Sequence, residues 1–553
     1  MKKELAVHAL FCLSTTASLS ALSPIGLHSR NLDIVPNQTM QAQKDSYLKQ
    51  LKELSLTNND VATLPNILII CADDLSQQDI TCYSNNSSEI STPHIDNLAL
   101  GGIRFDNCYA SAPICAPSRA GFMTGRDQNR FGFCTQPMDR YAKSNLEYAI
   151  YNSVVSRDNM RPARNTYIPT KKQIKSQGLP NSEITMGDLL KARGYATALI
   201  GKWHLGYELD KNPIQFGFDT HYGFTEAFSL YTPKTDSSIV YKPINLFSER
   251  HIYRRGRRKA SAILRNAKVV HEKRHLTDAF AQETIAFIKK SKQENPSKPF
   301  FVLNTFNAPH TPFQAQKKYY DRLSHITDEN RRAYLALILQ FDDAVGQIYS
   351  YLNEACLLDN TLIVFTSDNG AATYTRAAYN DPLKGGKFSL WEGGLKVPAI
   401  FYWKDKIIAN QVEQTPITHL DLFTTLACIT NTPLATDRKY DGVDLTPILL
   451  NMERTSILKR DLYWQMVYVS AIQSGDYKLI HNKRDNIYFL YNLKDDPYEK
   501  KNLSETHPLI VKELQKKLDS YRLEMSAPLW PHVMEYNYID EDNKELKENW
   551  YPL

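Results

Sequence analysis

Four stretches of almost unbroken apolar residues, each ending in groups that carry charge or can bind a metal, restrict the folds open to this chain. Asn66-Ile67-Leu68-Ile69-Ile70-Cys71-Ala72 stops at Asp73-Asp74, and Tyr195-Ala196-Thr197-Ala198-Leu199-Ile200 runs into Gly201-Lys202-Trp203-His204. Residues 300–306 run into Asn307-Ala308-Pro309-His310, and residues 361–366 into Ser367-Asp368-Asn369-Gly370. A strand without polar alternation is buried on both faces, as in parallel sheets covered by helices. Helical periodicity lies between these strands, at 185–193, 276–290 and 331–354. This alternation predicts an α/β fold, a large mostly parallel sheet sandwiched by helices. Such sheets bind ligands beyond the carboxyl ends of their strands, where these polar groups fall. One Asp or His at a strand end is ordinary turn chemistry; four such ends together point to a site.

Between the first two strands lies Pro113-Ile114-Cys115-Ala116-Pro117-Ser118-Arg119. Pro117 suits the first turn of a helix, so free backbone N–H groups and the positive dipole end would face Cys115. Arg119 adds a fork of donors matched to a tetrahedral oxyanion. A cysteine at a helix start is more often a packing residue, and its neighbours in the fold change that reading. Asp73, Asp74, Asp368 and Asn369 offer hard oxygen ligands, which suit calcium or magnesium rather than zinc or copper. Carboxylates from two strand ends repel strongly unless a cation sits between them, which makes a metal almost a structural necessity. Arg119, Lys202 and Lys387 around them imply a substrate bearing sulfate or phosphate. His204 and His310 titrate in the range needed of a general base and acid.

The rest of the chain sets the context. A net charge of +6 over 553 residues argues against a dedicated nucleic-acid partner. Residues 1–23, Met1-Lys2-Lys3 followed by a mostly apolar run, read as a signal peptide, and no other stretch is apolar enough for a membrane span. Residues 24–64 read as a leader arm with one amphipathic segment at Tyr47, Leu48, Leu51 and Leu54. Residues 65–455 read as the catalytic domain. Residues 456–553 read as an α+β unit, with short aromatic strands at 461–469, 470–473, 475–480 and 488–493 and a closing helix over 508–525. The eight cysteines form no disulfide framework, although export would permit a bridge among Cys82, Cys108 and Cys134. Two stretches read as insertions, 131–182 and 249–275. The second holds ten arginines and lysines against Glu249 and Glu272, either a solvated basic face or a means of capturing a polyanion.

Cys115-Ala116-Pro117-Ser118-Arg119 with Thr124-Gly125-Arg126 resembles the signature of the type I, formylglycine-dependent sulfatases of the alkaline-phosphatase-like superfamily. Gly201-Lys202-Trp203-His204-Leu205-Gly206 resembles that family's second block, and the likeness extends from Pro65 to Tyr521. The resemblance implies an alkaline-phosphatase-like sheet and a smaller C-terminal antiparallel sheet with a helix. It implies that a formylglycine-generating or sulfatase-maturating enzyme converts Cys115 to formylglycine, whose hydrate attacks sulfur. Asp73, Asp74, Asp368 and Asn369, with the modified Cys115, would bind calcium, magnesium being the alternative. Arg119, Lys202 and Lys387 would stabilise charge on the sulfuryl oxygens, His310 or Lys387 would protonate the leaving alcohol, and His204 would deprotonate the second hydroxyl of the hydrate to expel sulfate. With the leader and the basic stretch, this points to a periplasmic or secreted enzyme acting on a sulfated carbohydrate. Phosphonate monoester or phosphate ester hydrolysis is the alternative chemistry, and an unmodified Cys115 would leave a sulfated-glycan binder. An extra polar site residue near Asp219, His221 or Tyr222 is left open by a loose local match.

Overall fold

All eight residues of β1 (Asn66–Asp73) are buried, and the strand lies inside an 11-stranded sheet. The computed structural model describes residues 37–57, 61–84, 89–138, 141, 144, 146–149, 160–163, 168–244, 248–452, 460–537 and 550–552. The remaining strands of this sheet, in chain order, are β2 (Ile103–Tyr109), β3 (Ala196–Lys202), β4 (Thr220–Phe224), β5 (Leu264–Arg265), β6 (Lys268–Val269), β7 (Phe300–Pro309), β8 (Thr361–Ser367), β9 (Lys396–Tyr402), β10 (Gln411–Glu413) and β11 (Ile417–Thr418). In space they run β10-β2-β9-β8-β1-β7-β3-β4-β5-β6, with β11 also beside β2. The block β8-β1-β7-β3-β4 is parallel throughout. β9 runs against both β8 and β2, and β5 runs against β4 and β6. The sheet is thus mostly parallel, as the alternation of buried strands and helices predicted.

Among the helices of the described residues are α1 (Gln38–Thr57), α2 (Pro93–Leu100), α3 (Cys115–Thr124), α4 (Met186–Ala192), α5 (Leu276–Glu294), α6 (Glu329–Glu354), α7 (Leu420–Ile429) and α8 (Pro508–Arg522). Successive residues of a strand face opposite ways. Thus Leu68, Ile70, Val302, Ile363 and Phe365 pack with Phe280 of α5 and Leu337 and Phe341 of α6. Ile67, Ile69, Leu303, Leu362 and Val364 pack with Phe122 of α3, Leu189 of α4 and Phe423 of α7. Each such side chain contributes about 1.5–3 kcal/mol by leaving water. The central strands read as continuous apolar runs because both faces are covered.

The C-terminal unit is a four-stranded antiparallel sheet of β12 (Leu462–Met466), β13 (Val469–Ser474), β14 (Tyr477–Asn482) and β15 (Ile487–Asn492). Ile472, Leu479 and Leu490 face Leu514 and Leu518 of α8, while Ala471, Ile480 and Phe489 join a core with Tyr109 and Trp391 of the larger body. The first strand ends earlier than the apolar pattern suggested. Val467 has a φ of 48°, so the chain turns there, and Val469 opens the next strand instead of closing the first.

Three further expectations meet the structure differently. The leader segment is a long helix, but its apolar stripe is only partly core: Leu51 is buried and Leu54 exposed. What ties α1 down is Lys44, 4% exposed, whose Nζ bonds Asp188 Oδ2 at 2.7 Å and the carbonyls of Glu183 and Asn181 at 2.8 and 3.1 Å. The basic stretch is less free than its composition implied, and part of it builds the β5–β6 sheet edge. Arg265 pairs with Glu283 at 2.8 Å, Arg274 with Glu272 and Glu283 at 2.6 and 2.9 Å, and Arg255 with Glu226 at 3.3 Å. Glu226 and Glu283 lie outside the stretch, which is why a local count of charge overstated it. Cys82, Cys108 and Cys134 are each free. Residues 1–23 and part of the 131–182 insertion lie outside the described residues. No helix among the described residues is long and apolar enough to cross a membrane.

Candidate active site

The site gathers at the carboxyl ends of the parallel strands, on the side to which α3 points its first turn. Asp73 is the last residue of β1, and Asp74 follows in the left-handed region at φ 66°. Lys202 ends β3 and His204 follows at φ 59°; His310 follows β7; Asp368 and Asn369 follow β8. Cys115 is the first residue of α3, where Ser118 Oγ donates to the Asp368 carbonyl at 2.6 Å and fixes the helix against the end of β8. Gly201, at φ 122°, lets β3 pass β7 so closely that an added Cβ would lie 1.9 Å from the Thr305 carbonyl oxygen. Any side chain there would push Lys202 out of place.

The cations and carboxylates interlock. Lys202 Nζ bonds both Asp73 oxygens at 2.9 and 2.7 Å, and Lys387 Nζ bonds both Asp74 oxygens at 2.7 and 2.9 Å. Arg119 Nε donates to Asp368 Oδ2 at 2.9 Å, its Nη1 donates to the Lys202 carbonyl at 2.9 Å, and its Nη2 lies 3.8 Å from Asp73 Oδ1. Cys115 Sγ stands 3.5 Å from Asp73 Oδ1, 3.8 Å from Asp74 Oδ1 and 3.1 Å from Lys387 Nζ. His310 Nδ1 donates to the Thr311 carbonyl at 2.7 Å, which leaves Nε2 as the free nitrogen, 3.6 Å from Asp74 Oδ2. All of these residues are buried.

The mutual repulsion of the aspartates is therefore relieved by side chains: three carboxylates face Lys202, Lys387 and Arg119. Charge balance alone does not demand a metal, contrary to the argument from sequence. The donor set still fits one. Ligand atoms of Asp73, Asp74, Cys115 and His310 lie within 4.8 Å of one another. Asn369 Nδ2 donates to Asp74 Oδ1 at 2.7 Å and to the Gly370 carbonyl at 2.9 Å, leaving Asn369 Oδ1 buried without a partner among the described residues. An oxygen held in that way beside two carboxylates suits a hard cation.

Burial and neighbours set the protonation states. Burial, reinforced by Asp368, pushes the Cys115 thiol up, so as a cysteine it stays protonated and is a poor nucleophile. Burial raises the Asp368 carboxyl, but Arg119, Lys202 and Lys387 outweigh it and hold it well below the usual range. Burial lowers Lys387, and Asp74 more than compensates, keeping it cationic. Burial and the charge of Lys387 bring His310 down to about 3. His204 is lowered well below its ordinary value by burial and then Lys202, and neither of its ring nitrogens has a hydrogen-bond partner among the described residues.

Nine of the ten residues singled out from sequence fall in this one cluster or directly beside it; the tenth, His204, feels the charges of Lys202, Arg119 and Lys387 but makes no hydrogen bond to the carboxylates among the described residues. His310, read as an acid, also joins the potential ligand group. Asp219 and Tyr222 do not: Asp219 pairs with Lys191 at 2.8 Å, and the Tyr222 hydroxyl bonds Glu272. His221 is buried on β4. Two contributors had no local signal. His419, at the start of α7, sits between Thr366 Oγ1 at 3.0 Å and Ser118 Oγ at 3.5 Å, bracing the entrance of α3. Half-buried Tyr374 stacks on Phe388, ring centroids 5.4 Å apart, next to Lys387.

Comparison with known proteins places the arrangement. The family model described as Sulfatase matches residues 65–432. N-acetylgalactosamine-6-sulfatase of Canis lupus familiaris is 31% identical over 419 residues, 75% of this chain and 71% of that protein. Human steryl-sulfatase is 29% identical over 474 residues, 74% of each chain. Among solved structures, Ps i-CgsB matches with a TM-score of 0.69 and 28% identity over 84% of this chain and 94% of its own. The same protein in complex with k-i-k-neocarrahexaose gives a TM-score of 0.68.

Proposed function

The chain belongs to the sulfatase family, the sulfuric ester hydrolases, and from that premise we propose that it removes sulfate from a sulfated carbohydrate at the strand ends around Cys115. The observation that carries the reading is the position of Cys115 Sγ, within 3.8 Å of Asp73, Asp74 and Lys387 at the mouth of α3. A protonated thiol in that position is poorly suited to attack, and this supports its conversion to formylglycine by a maturating enzyme. Asp73, Asp74, Asp368 and Asn369 are the residues that would hold calcium. When present, the ion would polarise a sulfuryl oxygen and the formylglycine would supply a hydrated aldehyde as nucleophile.

The chain's own residues then divide the work. Arg119 and Lys202 hold the sulfate oxygens and offset charge that grows on them. With three acids and three cations already balanced, a bound dication would leave the site positive and so favourable to a sulfate ester. Lys387 carries a proton 3.1 Å from position 115, whereas the His310 ring is neutral with Nε2 bare. Lys387 is thus the group that gives the leaving alcohol its proton, and His310 orients the ester. His204, neutral and unpartnered, takes a proton at its free nitrogen when sulfate is expelled.

A carbohydrate is supported by the relative named N-acetylgalactosamine-6-sulfatase and by the oligosaccharide bound to Ps i-CgsB. In this reading residues 1–23 direct export to the periplasm or medium, residues 65–455 carry catalysis and residues 456–553 support it. The test is turnover by verified formylglycine-containing protein on a panel of sulfated mono- and polysaccharides, with phosphate diester and phosphonate monoester comparators. Sulfate release from a sugar is expected, and turnover confined to phosphorus esters overturns the reading.

A further inference from the structure

Residues 384–392 form the loop whose middle presents Lys387 to Asp74 and Cys115, and the C-terminal unit grips that loop by both feet, through Glu499 in the segment after β15 and Lys478 on β14. Glu499 Oε2 accepts the backbone N–H of Glu392 at 2.7 Å, while the Glu499 carbonyl accepts Lys384 Nζ at 3.3 Å. Lys478, on β14, pairs with Glu392 Oε1 at 2.8 Å and with Glu499 Oε1 at 2.9 Å. Tyr109, the last residue of β2, donates its hydroxyl to Glu392 Oε2 at 2.9 Å. The feet are closed on each other by the Gly393 N–H on the Lys384 carbonyl at 2.7 Å. The apex is held by the Lys387 N–H on the Ala371 carbonyl at 2.9 Å and the Phe388 N–H on the Pro113 carbonyl at 2.8 Å.

This cluster is expensive. Glu392, Glu499 and Lys478 are 2%, 0% and 0% exposed, so two carboxyl groups and the one lysine they share are taken out of water together. Burial holds the Glu499 carboxyl up at about 7. Glu499 also takes a left-handed φ of 54°, and Phe388 one of 78°, both unfavourable for residues with a Cβ. Well-packed apolar side chains would give equal or better stability in that space, whereas only directional, charge-assisted bonds can fix the loop at both feet. Neither Lys478 nor Glu499 touches the site itself.

We propose that Glu499 and Lys478 are positioning residues that aim Lys387 at the leaving group, so that the C-terminal unit sets the efficiency of proton delivery. The proposal rests on the reading of Lys387 as proton donor. Residues 384 and 392 move together with Glu499; when its grip is weakened, the apex drifts and Lys387 loses its approach to position 115. Sulfate esters with a good leaving group tolerate that drift, and poor ones do not.

The experiment uses full-length, matured protein and two esters, 4-nitrophenyl sulfate and 4-methoxyphenyl sulfate, assayed with Lys387→Ala, Glu499→Gln, Lys478→Met and Lys478→Arg. Loss of proton delivery is worth about 10²–10⁴-fold where the leaving group needs it. Lys387→Ala is expected to lose kcat preferentially on the methoxyphenyl ester. Glu499→Gln and Lys478→Met are expected to show the same selectivity, about tenfold or more on that ester against about twofold on the nitrophenyl one, with partial recovery in Lys478→Arg. Equal losses on both esters in the clamp variants, or none, beside a selective Lys387→Ala overturn the positioning role alone. Equal losses in Lys387→Ala overturn its assignment as donor and the proposal with it. Should Lys478→Met not fold, Glu499→Gln carries the same comparison.

Discussion

Lys387 Nζ and Cys115 Sγ stand 3.1 Å apart, although one residue opens α3 and the other lies in the loop between β8 and β9. A thiol that burial holds protonated is a poor nucleophile even with carboxylates beside it, so its value is as the precursor of something else. Mass spectrometry of the peptide spanning residues 112–126 is expected to show loss of one sulfur and two hydrogens with gain of one oxygen in active preparations. Cys115→Ala should abolish sulfate release. Full activity with an intact thiol would remove the assignment.

Asp368 is the partner of Arg119 Nε, and Arg119 Nη2 already lacks a partner among the described residues. Replacing Asp368 with Ala leaves the buried guanidinium with the Lys202 carbonyl and the more distant Asp73 carboxylate, at a cost of about 3–5 kcal/mol. Denaturant unfolding checks the size. Calcium should raise the melting temperature of the parent protein and not of Asp368→Ala, and chelation should lower it. A melting temperature indifferent to chelator and calcium would speak against the metal.

Among the described residues His204 has no hydrogen-bond partner for either ring nitrogen, so its burial is unfavourable for stability. His204→Ala should lower kcat by about 10²–10⁴-fold while leaving the unfolding midpoint level or higher. A midpoint that falls together with activity would mark a structural histidine instead.

His221 and His275 lie outside the site, buried, with pKa values brought down to about 4 by burial. An unfolded histidine takes its proton near 6.5. Between these values the unfolded chain binds more protons than the folded one, so stability falls as pH falls from about 6.5 to 4. The loss is at most about 3 kcal/mol for each histidine. Urea midpoints measured across that range should decline, and His221→Asn should flatten the slope; a midpoint constant from pH 7 to 4.5 contradicts the effect.

Lys44 is the buried link between α1 and the start of α4. Lys44→Met keeps the bulk and removes three bonds, at an expected cost of about 1–3 kcal/mol. Limited proteolysis should then release α1 before the body unfolds. Unchanged protection of residues 38–57 would show that the lysine is not what holds the helix.

Much of the architecture could be read in the chain because it rests on local regularities. β1, β3, β7 and β8 declare themselves as apolar runs, since a strand covered on both sides has no polar face to show. Asp73, Asp74, Asp368 and Asn369 stand out because turn residues follow those runs, and the block around Cys115 has a spacing that few other contexts share. Where local rules competed, the reading slipped: the apolar run through Val469 hid a turn at Val467, and the ten cations between 249 and 275 looked free because Glu226 and Glu283 lie elsewhere in the sequence.

The order of residues alone thus determined which segments become buried strands, that they lie parallel, and which family the chain belongs to. Only the folded molecule decided which aspartate meets which lysine, how His419 braces the first turn of α3, and that Glu499 holds both feet of the Lys387 loop. Those contacts join residues separated by tens to hundreds of positions. They depend on strand order and register, which periodicity along the chain does not encode, and on a buried setting where every charge must find a partner or remain unfavourable.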